Sequence, residues 1–109
     1  MIRRALVPLL LLAAAPAWAA VPEMAVEGTC EGLAESTGQP DLLPRCLADE
    51  AAALTSLEDH WDELPLDVAG GCTAATLDAG QPSYQILTLC IEDGLRAAGL
   101  PSPFSSEAP

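Results

Sequence analysis

Four cysteines, Cys30, Cys46, Cys72 and Cys90, constrain this chain more than any other feature. Successive members are 16, 26 and 18 residues apart. A structural zinc site uses close pairs such as C-x-x-C, and no such pair is present. The same spacing leaves no C-x-x-C redox motif, and a Cys–His nucleophile would need a free thiolate. An even number of cysteines in a short chain delivered to an oxidising compartment reads as a disulfide framework. All four residues are therefore assigned to two structural disulfides.

The N-terminus supplies the compartment. Arg3 and Arg4 precede an apolar run from Leu6 to Ala15, followed by Pro16-Ala-Trp-Ala-Ala20. A charged start, a hydrophobic stretch of about ten residues and a small-x-small site have the form of a secretory signal peptide. Residues 1–19 are expected to be removed, with Ala17 and Ala19 in the small-residue pockets of the peptidase. The apolar stretch falls short of the ~20 residues of a spanning helix. No cysteine stands at the cut to take a lipid, so no membrane anchor is expected after processing. The expected location is periplasmic or secreted.

Processing leaves 90 of the 109 residues and takes away two of the four arginines, moving the formal charge from −12 to −14. A nucleic-acid partner needs clustered cations to displace phosphate counterions, and that class is excluded. Of the 90 residues 40 are apolar, 14 of them Ala, and Trp61, Tyr84 and Phe104 are the aromatics. A core this thin is marginal in a small domain. By the loop-entropy model, a bridge closing a loop of ~15 residues contributes on the order of 3 kcal/mol.

Periodicity gives the fold class. Residues 20–40 carry no sustained period and are expected to be an irregular N-terminal arm tied down by Cys30, in which Cys30–Glu35 could form a helical turn. Residues 41–99 are the expected helical core. Asp41 is a plausible N-cap with Pro44 in the first turn. Apolar residues at 43, 47, 54, 57, 61 and 64 then follow one helical stripe until Pro65 blocks continuation. Pro65–Leu77 reads either as a loop or as a short helix carrying Val68, Cys72, Ala75 and Leu77, weakened by Gly70-Gly71. Ser83 is a good N-cap for a last helix with the stripe Tyr84, Leu87, Ile91, Leu95 and Ala98, ended by Gly99 and Pro101. Residues 100–109 are expected to be a disordered tail. The predicted architecture is all-α, a small disulfide-stapled antiparallel assembly of two to three helices.

Four cysteines allow three pairings. With ~1.5 Å rise per residue, Cys46 lies ~27 Å below the Leu64 end, whereas Cys72 is only ~10 Å below the start of the short helix. That disfavours Cys46–Cys72. If the last helix climbs as the short one descends, Cys72 and Cys90 meet, and Cys30–Cys46 with Cys72–Cys90 is favoured. If the last helix runs downward, Cys30–Cys72 with Cys46–Cys90 follows instead.

The run Cys46-Leu-Ala-Asp-Glu-Ala-Ala-Ala-Leu54 with Leu57, Trp61 and Cys72, then Ser83-Tyr-Gln-Ile-Leu-Thr-Leu-Cys90, resembles a group of short exported alphaproteobacterial proteins. Their shared skeleton is C-L-x-D-E-x-x-A-x-x-x-L-x-x-x-W, a Cys, and S-Y-x-x-L-x-x-C. The resemblance spans residues 46–92. It implies export and a helical fold and carries no catalytic residue, since that group has no assigned activity. The chain departs from the pattern at Gly70-Gly71, where a more charged helical segment is expected.

Candidate sites are few. His60, the single histidine, lies within Glu58-Asp-His-Trp-Asp-Glu63. On a helix His60 and Glu63 are neighbours, and with Asp59 they form a weak candidate metal or partner face. A lone His lacks the second imidazole of an H-E-x-x-H site, so a solvated helix face is the plainer expectation. The pairs Asp49-Glu50, Glu58-Asp59, Asp62-Glu63 and Glu92-Asp93 read as solvated acidic surface rather than as glycosidase carboxylates facing across a cleft. Ser36, Ser56 and Ser83 lack a G-x-S-x-G context, and no phosphate-binding glycine loop is present. Trp61 fits the core stripe better than an exposed anchor. No catalytic residue and no cofactor is implied. The expected function is a small exported interaction module that binds an envelope protein, a cationic one fitting the charge, through an acidic helical face; the alternative is a weak divalent-cation binder.

Overall fold

The computed structural model describes residues 20–104, so the leader expected at 1–19 and the last five positions of the expected tail lie outside it. Four α-helices are present: α1 (Val26–Thr37), α2 (Leu42–His60), α3 (Leu66–Asp78) and α4 (Tyr84–Ala97), with a 3-10 turn at Trp61–Glu63 between α2 and α3. There is no strand among the described residues. α2 packs on both α1 and α4, and α3 packs on α4. The chain is thus two helical hairpins laid side by side through α2 and α4.

Each hairpin carries one bridge. Cys30 of α1 is bonded to Cys46 of α2, and Cys72 of α3 to Cys90 of α4, both with Cα atoms 5.6 Å apart. This is the pairing that the height argument favours, and α4 runs back alongside α3 as that argument requires.

The stripes account for the core. Leu57 of α2 and Leu87 and Ile91 of α4 are completely buried, surrounded by Trp61, Leu64, Tyr84 and Leu95. Pro65 ends the run of α2 and the 3-10 turn, and α3 begins directly after it. Ser83 is the N-cap of α4: its backbone is extended and its Oγ accepts from the Ile86 N–H at 3.2 Å. Asp41 precedes α2 without a capping hydrogen bond.

Three expectations are corrected. The arm is irregular only up to Ala25, because residues 26–37 form α1. Gly28 and Gly32 weaken the periodic signal there, but Cys30 and Ala34, one turn apart, are buried in this helix and Cys30 is bonded to α2. A helix this short draws its stability from such tertiary contacts more than from propensity. Gly38 then closes α1 with a left-handed φ of 65°.

Residues 65–77 are helical, but the buried face is Ala69, Cys72, Thr73 and Thr76, while Ala75 and Leu77 are exposed. The two threonines tolerate burial because each hydroxyl donates to the carbonyl four residues earlier, Thr73 to Ala69 and Thr76 to Cys72, both at 2.8 Å. On α4 the last stripe residue, Ala98, is exposed.

The expected tail is docked at its start. Phe104 is buried in the core cluster and meets the His60 ring edge-on, with centroids 5.7 Å apart. One large apolar side chain beyond Pro101 outweighs the Pro/Ser composition around it.

Candidate functional site

Glu50 is the most unusual side chain of the domain. It lies on α2, is 1 % exposed, and points at the start of α4. Its Oε1 accepts from the Tyr84 N–H at 3.1 Å. Its Oε2 accepts from the Gln85 N–H at 3.1 Å and from the Ser83 hydroxyl at 3.2 Å. With Ser83 Oγ on the Ile86 N–H, the first three amides of α4 all have an oxygen. The carboxylate also faces the positive end of the helix dipole. The expectation that Asp49-Glu50 is solvated surface holds for Asp49 and fails for Glu50.

A serine hydrogen-bonded to a carboxylate invites comparison with an activated nucleophile, but here both partners are committed to capping. Ser83 Oγ donates to Glu50 and accepts from Ile86, and Ser83 is itself buried. Tyr84 is equally committed: its hydroxyl accepts from the Met24 N–H at 2.9 Å and donates to the Pro22 carbonyl at 3.0 Å. These bonds hold the N-terminal segment against α4.

Above Glu50 lies a groove of about 740 Å³. One wall runs from Ala25, just before α1, along the α1 face of Gly28, Gly32 and Ser36, and the other is the segment 80–83 with the first turn of α4. Cys46 and Glu50 contribute to its lining from α2. Thr29 ties the walls together through a 2.8 Å bond from its hydroxyl to the Pro82 carbonyl. Leu33 and Ile86 also line it, each 46 % exposed. A smaller groove between α2 and α4 is bordered by Asp49, Glu92 and the exposed Leu89.

His60 and Glu63 do meet: His60 ends α2, Glu63 lies in the 3-10 turn, and Nδ1 and Oε2 are 2.5 Å apart. Asp59 is exposed on α2, and no hydrogen bond joins it to the pair among the described residues. Nowhere among the described residues do three or more His, Cys, Asp or Glu side chains come together as a metal site would require. Trp61 is buried in the core. No helix among the described residues is long and apolar enough to cross a membrane.

Comparison with protein-family models, with curated proteins and with solved structures finds no match for this chain.

Proposed function

We propose that the protein is an exported interaction module whose acidic helical surface takes a cationic segment of an envelope protein. The observation that carries this reading is the charge imbalance. Sixteen carboxylic residues face four arginines, two of which belong to the expected leader. Among the described residues the Arg–carboxylate ion pair is Arg96 with Asp93, at 2.8 Å. A field of one sign over a small rigid body speeds encounter with a partner of the other sign and discourages self-association. Two disulfides keep the carboxylates in fixed relation without a large core, which suits a surface whose work is recognition.

The test is capture from envelope extract on the immobilised, oxidised protein at low and at moderate salt. A specific partner retained at low salt and released as the ionic strength rises is the expected result, because exposed charges are screened beyond roughly 8–10 Å at physiological salt. Absence of any salt-sensitive partner overturns the proposal.

A further inference from the structure

We infer that the groove between α2 and α4 is the docking site for a helix of the cationic partner, one that carries two basic side chains two turns apart. The inference rests on the interaction-module reading above.

Two open helix faces make this groove. Its α2 wall is Asp49, Ala52, Ala53 and Ser56, and its α4 wall is Gln85, Thr88, Leu89 and Glu92. Both walls have the spacing i, i+3, i+4, i+7, the contact stripe of a single helix face. No other helix among the described residues lines it. The middle is small or apolar: Ala52 is exposed, Thr88 spends its hydroxyl on the Tyr84 carbonyl at 2.9 Å, and Leu89 is 63 % exposed. A lone exposed Leu needs no explanation, but one midway along a groove between two open stripes is an anchor for a helix laid into it.

Length selects the guest's shape. Glu50 pins the first turn of α4 beside its own level of α2, so neighbouring Asp49 marks one end of the groove. Glu92 lies two turns up α4 from Gln85, a rise of ~10 Å. Phe104, set against the ring of His60 at the end of α2, lines the far end. From Asp49 to the level of His60 α2 rises ~16 Å, three turns. Over that length a groove of about 430 Å³ seats one face of a helix rather than a compact ligand.

Charge selects the guest's sequence. Both carboxylates stand in the lining itself, Asp49 on the α2 wall and Glu92 on the α4 wall. Among the described residues neither is in an ion pair, whereas Glu50 is spent on α4 and Asp93 holds Arg96. A wholly apolar guest would cover both carboxylates without a partner, which costs free energy. Lys or Arg at each level pairs them, and the two levels are two helical turns apart. Arg45 is exposed one turn before Asp49 on the same face of α2, so a cation one turn out of register meets an arginine instead. A second copy of this chain would bring the same two carboxylates and the same net negative charge, so charge argues against self-pairing.

The probe is a synthetic helical peptide of about 16 residues with Ala and Leu on one face and two Lys two turns apart beside them. It is titrated into the oxidised protein in about 0.1 M salt, where charges more than about 10 Å apart are screened. Amide chemical shifts should move over residues 49–56 and 85–92. A peptide of identical composition with both Lys on its far face should bind at least about tenfold more weakly. Asp49→Asn with Glu92→Gln should cost about the same factor. Glu31→Gln with Glu35→Gln removes equal charge from a separate groove and should change binding by less than about twofold. Ala52→Phe, at an exposed position of α2, should block the peptide with unchanged helix content. The inference is overturned if the two peptides bind alike, if the two charge pairs count equally, or if no binding is seen by about 1 mM peptide. Any of those results removes the groove and leaves the acidic-module reading to its own capture test. It is equally overturned if Ala52→Phe breaks a dimer of the protein, or if the peptide binds only once residues 105–109 are removed. The groove then belongs to a second copy, or to the chain's own C-terminus.

Discussion

The carboxylate of Glu50 and the hydroxyl of Ser83, thirty-three residues apart in sequence, are 3.2 Å apart in the core. Both disulfides lie inside hairpins, so nothing covalent joins the α1/α2 half to the α3/α4 half except the chain between them. Apolar packing of α2 on α4 and the Glu50 cap do that work together.

Replacing Glu50 therefore strikes the junction. Glu50→Ala leaves one buried amide, one part-buried amide and a buried hydroxyl without their acceptor and should lower stability by about 3 kcal/mol. Glu50→Gln keeps the volume but turns an NH₂ group toward a donor, and should cost about 2 kcal/mol. Urea unfolding checks both, and amide exchange at Tyr84 and Gln85 should quicken. A loss of under about 0.5 kcal/mol for the alanine variant, the scale of an ordinary surface change, would contradict this role for Glu50.

Reduction should be severe. The bridges close separations of 16 and 18 residues, each worth on the order of 3 kcal/mol by loop entropy. Together they rival the roughly 5–15 kcal/mol of a whole domain. The circular-dichroism melt should fall steeply in reductant. With only Cys30→Ala and Cys46→Ala, the amides of α1 should exchange faster than those of α4.

One substitution should have opposite signs at two places. Gly28→Ala and Gly32→Ala add a methyl group to open space and gain helix propensity, so each should raise stability by about 0.5–1 kcal/mol. Gly94→Ala drives its methyl against Val68 Cγ1, whose stiff β-branched side chain has few other rotamers in α3, and should lower stability by about 1–2 kcal/mol. Thermal melts of the three variants decide the matter.

The C-terminal segment should be part of the fold. Phe104→Ala opens a space beside His60 and the core and should cost about 3 kcal/mol, the scale for truncating a buried aromatic. Intrinsic fluorescence of the buried Trp61 should change with it. Truncation after Ser102 should reproduce the effect; an unchanged melt would return this segment to the status of a loose tail.

What was legible in the sequence was whatever repeats. The Leu57–Trp61 and Tyr84–Leu95 stripes, the Ser83 cap and the Pro65 stop all concern neighbours along one helix, and their physics is local. Glu50 was hidden because composition places a carboxylate outside. Yet the stripe 43, 47, 54, 57, 61, 64 skips a turn, and position 50 fills it at spacings of three and four. A charge at that register is the one signal that pointed inward. Its acceptor role was not readable, since it depends on where α4 begins in space. The periodicity of α1 is diluted by its glycines, and Phe104 leaves no trace in the pattern because a single residue has no period. The groove arises from the packing of two hairpins, which no segment encodes alone.

Each cysteine is bonded to its next neighbour in the sequence, Cys30 to Cys46 and Cys72 to Cys90. A chain delivered N-terminus first presents its thiols in that same order. In a chain so delivered, Cys46 would meet Cys30 as the one thiol waiting, and Cys90 would meet only Cys72. Oxidation in order of arrival therefore yields the native bridges directly. Either crossed pairing would have to form later and be undone by thiol–disulfide exchange. A chain so delivered would draw on an oxidant and would reach its native bridges without reshuffling.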